Sequence, residues 1–150
     1  MCRKNNRALT NIIYCSIVFA ILIVYFCNFK LIFVSGSSME PTFRDGSPII
    51  MSRNTDVIDK NDIVVIEHEG ELLIKRVIAV PDDTVELKDN SVYVNKVRVL
   101  SNCYYNDNVK YILSDKEYFV VGDNILNSTD SRVFGPVNAS MIKYKRTGDL

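Results

Sequence analysis

The first third of the chain and the remainder follow two different hydrophobic patterns. From Ala8 to Phe29 no residue carries a charge, and at about 1.5 Å per residue the run predicts a helix of roughly 33 Å, enough to cross a hydrocarbon layer of about 30 Å. After Pro41 the apolar residues come instead in short runs separated by turn-forming residues. Pro48-Ile49-Ile50-Met51, Ile63-Val64-Val65-Ile66 and Leu72 to Val80 predict strands, and the last two are joined by the polar Glu67-His68-Glu69-Gly70-Glu71 as a hairpin. Thr84-Val85-Glu86-Leu87, Val92-Tyr93-Val94 and Val97-Arg98-Val99 are separated by Lys88-Asp89-Asn90-Ser91 and Asn95-Lys96, and predict a meander. Tyr118-Phe119-Val120-Val121 reads as the last clear strand. Asn102 to Asp115 reads as a loop, Asn138 to Ile142 as a weak turn, and no second helix stands out. The expectation is a compact, mostly antiparallel β domain on one N-terminal helix.

The flanks of the apolar run set its orientation. Arg3, Lys4 and Arg7 precede it and Lys30 is the nearest charge beyond it, so the positive-inside bias predicts a cytoplasmic N-terminus. Lys30 can extend to the far interface. A cleaved secretory signal would need a shorter apolar centre and small residues at its exit, whereas Phe26-Cys27-Asn28-Phe29-Lys30 is bulky. The division expected is 1–7 in the cytoplasm, 8–30 as a membrane anchor and 31–150 as a folded domain on the extracytoplasmic face, with Leu31-Ile32-Phe33-Val34 resting near the bilayer.

Composition adds mainly exclusions. Acidic and basic residues balance at 18 each, which removes the broad basic face expected of a nucleic-acid binder. Cys2, Cys15 and Cys27 lie in or before the apolar run, leaving Cys103 alone in the rest. No disulfide within the β domain and no Cys/His zinc grouping is therefore expected, and Cys103 reads as a small buried residue. His68 is the only histidine, which rules out two-histidine metal motifs. Its acidic neighbours place it on an exposed hairpin tip, so a serine nucleophile would need another base.

Lys75 is the candidate base. It sits between Leu72-Leu73-Ile74 and Val77-Ile78-Ala79-Val80, and burial in such a strand would lower the pKa of its ammonium. A strand lysine whose stem packs while its head reaches water is the plainer alternative. Strand alternation sends Lys75 and Arg76 to opposite faces. The candidate nucleophile is Ser38 in Ser35-Gly36-Ser37-Ser38-Met39-Glu40-Pro41-Thr42, where Gly36 permits a tight approach and Pro41 fixes the exit.

These segments together resemble the bacterial type I signal peptidase (leader peptidase) family. Ser35 to Thr42 is similar to its S-x-M-x-P-T nucleophile box, Leu73 to Asp83 to its lysine box, and Gly122 to Arg132 to its final box of form GDNxxNSxDSR. Asn61-Asp62-Ile63-Val64-Val65 and Phe134-Gly135-Pro136-Val137 extend the match. The resemblance implies a signal-peptidase/LexA-like β fold and a Ser-Lys serine peptidase that removes signal peptides after Ala-x-Ala sites, through an acyl-enzyme and without metal or cofactor. Ser38 would be the nucleophile and Lys75 the general base, with Ser128 orienting the amine. Asp123 would pair with Arg76 and Asp130 with Arg132. The Ser38 backbone N–H would meet the oxyanion, unaided at Gly36, where some relatives carry a hydroxyl. Met39 and Ile74 are the expected pocket walls. Partners would be secretory preproteins and membrane lipid, with no nucleic acid.

Departures from the family pattern are Asp82 and Ala79 where glycine is common, and Ile125 where arginine is frequent. The short interval from Lys75 to Ser128 implies a minimal catalytic domain. Two other classes fit parts of the chain. A self-cleaving repressor of the related Ser-Lys class would need a DNA-binding region and an internal cleavage dipeptide such as Ala-Gly, which is absent. A catalytically silent, membrane-tethered binding module would not need Ser38, Lys75 and Ser128 together.

Overall fold

The structure is a computed structural model that describes residues 3–103 and 108–146. Parts of the expected cytoplasmic segment 1–7 and of the expected 102–115 loop lie outside the described residues. Helix α1, Arg3–Asn28, contains an apolar span from Leu9 to Asn28, long enough to cross a membrane. Its large apolar side chains are exposed on all sides, the pattern of a helix whose solvent is hydrocarbon rather than water. The helix ends at Asn28, two residues before the expected boundary, because Lys30 already belongs to a strand.

That strand, β1 (Phe29–Phe33), opens a seven-stranded sheet ordered β1-β2-β11-β3-β4-β9-β10. Its other members are β2 (Pro48–Ser52), β3 (Ile63–His68), β4 (Glu71–Ala79), β9 (Glu117–Val121), β10 (Val137–Asn138) and β11 (Ile142–Arg146). A second sheet, β7-β6-β5-β8, is built from β5 (Thr84–Lys88), β6 (Ser91–Val94), β7 (Val97–Ser101) and β8 (Val109–Ile112). All the pairings are antiparallel. Three of the hairpins turn through two residues of positive φ: Glu69-Gly70, Asp89-Asn90 and Asn95-Lys96. Such loops match the right-handed twist of the flanking strands, and Asn, Asp and Gly tolerate the left-handed backbone. The expected β3–β4 hairpin and β5–β7 meander are therefore present as read.

Four elements differ from expectation. Strand β8 lies inside the expected loop; only Val109 and Tyr111 alternate inward, and the pairing of β8 with β5 completes what the short pattern leaves ambiguous. Strand β11 reads as charged, yet it sits between β2 and β3 and holds its partners through backbone hydrogen bonds. The two-residue strand β10 beside β9 was not expected. A single helical turn, α2 (Ser131–Phe134), is capped by the Asp130 side chain and ends at Gly135, whose φ is +84°. The expected weak turn is a short 3-10 segment, Ala139–Met141. His68 is not a freely solvated tip residue: it is half-buried, with its ring stacked 4.2 Å from that of Phe134.

Three apolar clusters hold these strands. One joins the two sheets through Ala79, Phe119 and Val121 against Val85, Leu87 and Val92, with Cys103 and Leu113 at its edge. A second, with Val64, Val77, Val120 and Ile142, lies on one face of the larger sheet. The third gathers Val34, Met39, Phe43, Ile49, Met51, Ile63 and Val65, with Ile74 beside them, under the segment that carries Ser38. Phe119 is fully buried where the two sheets meet, so Phe119→Ala should cost about 3–5 kcal/mol. A clear fall in the unfolding midpoint of the detergent-solubilised chain checks this, and an unchanged midpoint would contradict the assignment of the joining core.

Candidate active site

Ser38 is carried on the connection between β1 and β2, and three local features fix that connection. Gly36 has φ +84° and donates its N–H to Asp45 Oδ1 at 2.8 Å, which turns the chain sharply before the serine. Val34 and Gly46 close the base of the loop, with Gly46 N–H donating to the Val34 carbonyl at 2.9 Å. Met39 is 1% exposed and packs into the cluster below. The residue after Ser38 therefore anchors the backbone, while Ser38 itself stays half-buried at the surface of the core.

Lys75 lies mid-strand in β4, opposite Val64 of β3, and is 2% exposed. Its Nζ donates to Ser38 Oγ at 3.1 Å. Desolvation is the largest influence on this amine and pushes its pKa down; the charge of Asp130 opposes that shift and Arg132 adds to it. Arg76, next along the strand, points elsewhere. Its guanidinium forms a bidentate pair with Asp123, Nε to Oδ1 and Nη2 to Oδ2 both at 2.7 Å, and its Nη1 reaches the Asn61 carbonyl at 3.0 Å. Burial alone would raise the Asp123 carboxyl, but hydrogen bonds from Arg76 and from the Thr42 hydroxyl outweigh it and hold the group below the usual carboxylate range.

The turn after β9 grips the Ser38 segment from the other side. Asn124 N–H donates to the Ser38 carbonyl at 3.0 Å, its side-chain Nδ2 donates to the Ser37 carbonyl at 3.1 Å, and Asn127 Nδ2 donates to the Ser37 hydroxyl. Gly122 makes this approach possible. A Cβ at that position would overlap the Ser128 hydroxyl and lie 2.5 Å from the Ser38 carbonyl oxygen. Thr42, Asn124 and Asn127 thus hold the site together although only their membership of the motifs was visible in sequence. Their partners are mostly backbone atoms or lie some eighty residues away, and neither kind leaves a residue-type signature.

Behind Lys75 lies a fully buried carboxylate, Asp130. Its Oδ2 accepts from Ser128 Oγ at 2.8 Å, Gly122 N–H at 2.9 Å and Arg132 Nη2 at 2.7 Å, while Oδ1 accepts from Arg132 Nε at 2.8 Å. Arg132 also reaches the Ile125 carbonyl at 2.8 Å. The expected Asp123–Arg76 and Asp130–Arg132 contacts are both present. Ser128 differs from its expected contact: its hydroxyl donates to Asp130, while the Lys75 amine reaches Ser38. Met39 and Ile74 share one cluster, Met39 closed into it and Ile74 half-exposed. A Cβ added at Gly36 would meet no atom within 4 Å. Asp82, at a position where the resemblance implies glycine, adopts φ +68°, the backbone region that glycine enters freely. Ala79 is fully buried beside a bulge in β4. Among the described residues no three His, Cys, Asp or Glu side chains converge as a cation site.

The family model described as signal peptidase, peptidase S26, matches residues 7–147. A signal peptidase I of Bacillus amyloliquefaciens is 37% identical over 135 residues, covering 78% of this chain and 72% of its own length. Signal peptidase I V of Bacillus subtilis is 34% identical over 151 residues, covering 85% and 88% respectively. Signal peptidase IB of Staphylococcus aureus is 30% identical, covering 75% and 72%. A site built from a serine, a buried lysine and two ion pairs thus lies within a match that runs nearly the whole length of the sequence, and the chain belongs to the signal peptidase I family, the serine peptidases that remove signal peptides from preproteins.

Proposed function

We propose that Ser38 is the nucleophile and Lys75 the general base of a membrane-anchored signal peptidase that cuts preproteins after Ala-x-Ala sites. The observation that carries this reading is the 3.1 Å contact between Ser38 Oγ and an amine that is 2% exposed. An amine withdrawn from water loses its proton more readily, and only the neutral form can accept one from serine. Lys75 takes the Ser38 proton as Oγ attacks the scissile carbonyl. It then gives that proton to the departing amine of the mature protein, leaving an acyl-enzyme on Ser38. A water activated by the same neutral lysine hydrolyses the ester and frees the signal peptide.

Asp130 and Ser128 act on the base through their charge and hydrogen bonding, and Asp123 with Arg76 holds the strand against the nucleophile loop. The oxyanion falls to the Ser38 backbone N–H, since Gly36 offers no hydroxyl. The substrate would lie as an extended strand beside the segments carrying Ser38 and Lys75, its small side chains against the half-exposed Ile74 and Ile32, with Met39 closing the cluster beneath them. Helix α1 would anchor the enzyme with residues 1–7 in the cytoplasm and the β domain from residue 31 on the far face, where exported preproteins emerge.

The test is cleavage of a preprotein with an Ala-x-Ala site by the solubilised chain. Ser38→Ala and Lys75→Ala are each expected to lower kcat by roughly a thousandfold or more; cleavage by Lys75→Ala at the rate of the parent would contradict the assignment of the base. The rate should rise with pH as Lys75 loses its proton, with an apparent pKa below the ordinary lysine value of 10.5. A profile that falls as the pH rises through that region would point to an acid in place of the base. Gly122→Ala should keep the fold yet reduce kcat by more than about tenfold, because the new methyl group displaces the Ser38 carbonyl. Parent-like turnover in that variant would show that the close approach of the two loops is dispensable.

A further inference from the structure

Two cations with no carboxylate partner among the described residues meet at the point where α1 ends. The Asn28 carbonyl accepts the N–H of Arg53 at 2.9 Å, so Arg53 abuts the end of the helix, and Lys30 is the second residue of β1. Both side chains converge on Tyr144 of β11. Lys30 Nζ donates to its hydroxyl at 3.2 Å and lies 5.0 Å from the ring centroid, while the Arg53 guanidinium carbon lies 5.5 Å from the same centroid. None of the ion pairs among the described residues includes either cation. The Arg53 guanidinium likewise makes no hydrogen bond among them.

Beside this pair is an open cavity of about 600 Å³ lined by Arg53, Glu67, Gly70, Leu72, Lys143 and Tyr144. Its one lining carboxylate, Glu67, is paired with Lys143 at 3.0 Å, so no carboxylate among the described lining residues is left to balance Arg53. Leu72 is 53% exposed and adds an apolar wall. Cations held against an aromatic ring are already oriented, and a planar guanidinium with free donors matches two phosphate oxygens at once. The place matters as much as the chemistry. If α1 spans the bilayer, the end of a helix of this length lies at headgroup depth, where lipid phosphates are concentrated.

We propose that Lys30, Arg53 and Tyr144 form a binding site for the phosphate diester of an anionic phospholipid, its acyl chains lying beside α1. The inference rests on the membrane-spanning reading of α1 and does not depend on the peptidase chemistry. A lipid held there fixes the β domain relative to the end of the helix, and with it the height of Ser38 above the bilayer.

The test titrates the full chain in a non-ionic detergent with dihexanoyl-phosphatidylglycerol, dihexanoyl-phosphatidylcholine or inorganic phosphate, and follows the thermal unfolding midpoint, which a ligand of the native state raises. Phosphatidylglycerol is expected to raise the midpoint of the parent. Arg53→Gln and Lys30→Gln should each weaken that response about tenfold, and Arg53→Lys should keep part of it. An equal rise with phosphatidylcholine would overturn selection of an anionic headgroup, and an equal rise with inorganic phosphate would make the site one for a free anion. An undiminished response in both glutamine variants would move the lipid elsewhere, and no response in the parent would remove the site. Peptide cleavage by the same samples in detergent reports separately on Ser38 and Lys75, so failure of the peptidase reading is distinguishable from failure of this one.

Discussion

Everything near the site depends on keeping one amine out of water. Desolvation outweighs the opposing charge of Asp130 in setting the state of Lys75, and this balance places demands on the surrounding groups. A carboxylate close to the amine would favour the ammonium if it acted alone. Asp130 instead shares its charge with Arg132 through two side-chain hydrogen bonds and accepts two more from Ser128 and Gly122. A carboxylate fully satisfied in this way can be buried at tolerable cost, and Arg132 adds its own push toward the neutral amine. The second pair, Arg76 with Asp123, ties β4 to the turn after β9.

The second constraint is distance. Ser38 and Lys75 come from segments 37 residues apart, and a proton passes between them only if their separation is held within a few tenths of an ångström. The structure meets this need from two sides. Met39 roots the Ser38 loop in the apolar cluster against which Ile74, the neighbour of the lysine, packs, while Asn124 and Asn127 hold the Ser37–Ser38 backbone and the Ser37 hydroxyl from the opposite side. Gly122 lets the two loops touch.

Much of this was legible in the sequence because the relevant patterns were local. The uncharged run gave the helix, and the Asp-Asn, Asn-Lys and Glu-Gly pairs marked the three tight hairpins. The apolar strand around Lys75 left burial and a solvated head both open; the structure buries the residue and brings its amine to Ser38. Strand β11 was hidden because Lys143, Lys145 and Arg146 dominate its composition while the pairing with β2 and β3 decides its conformation. Strand β8 was masked by the polar residues around it. His68 looked solvated because its neighbours in sequence are acidic, whereas its neighbour in space is Phe134. The partner of Ser128 was equally out of reach, since only the fold shows that the Asp130 carboxylate is turned toward its hydroxyl.

The most direct test of the central claim is to titrate the Lys75 amine itself. Lysine labelled with carbon-13 at Cε can be followed by NMR as a function of pH in the solubilised chain, with the Lys75 signal assigned by its loss in Lys75→Arg. The account predicts that Lys75 loses its proton at a lower pH than the exposed lysines do, because burial disfavours its charged form. If Lys75 instead titrated together with the surface lysines, the amine would be solvated, and burial could not be what prepares it to accept the serine proton.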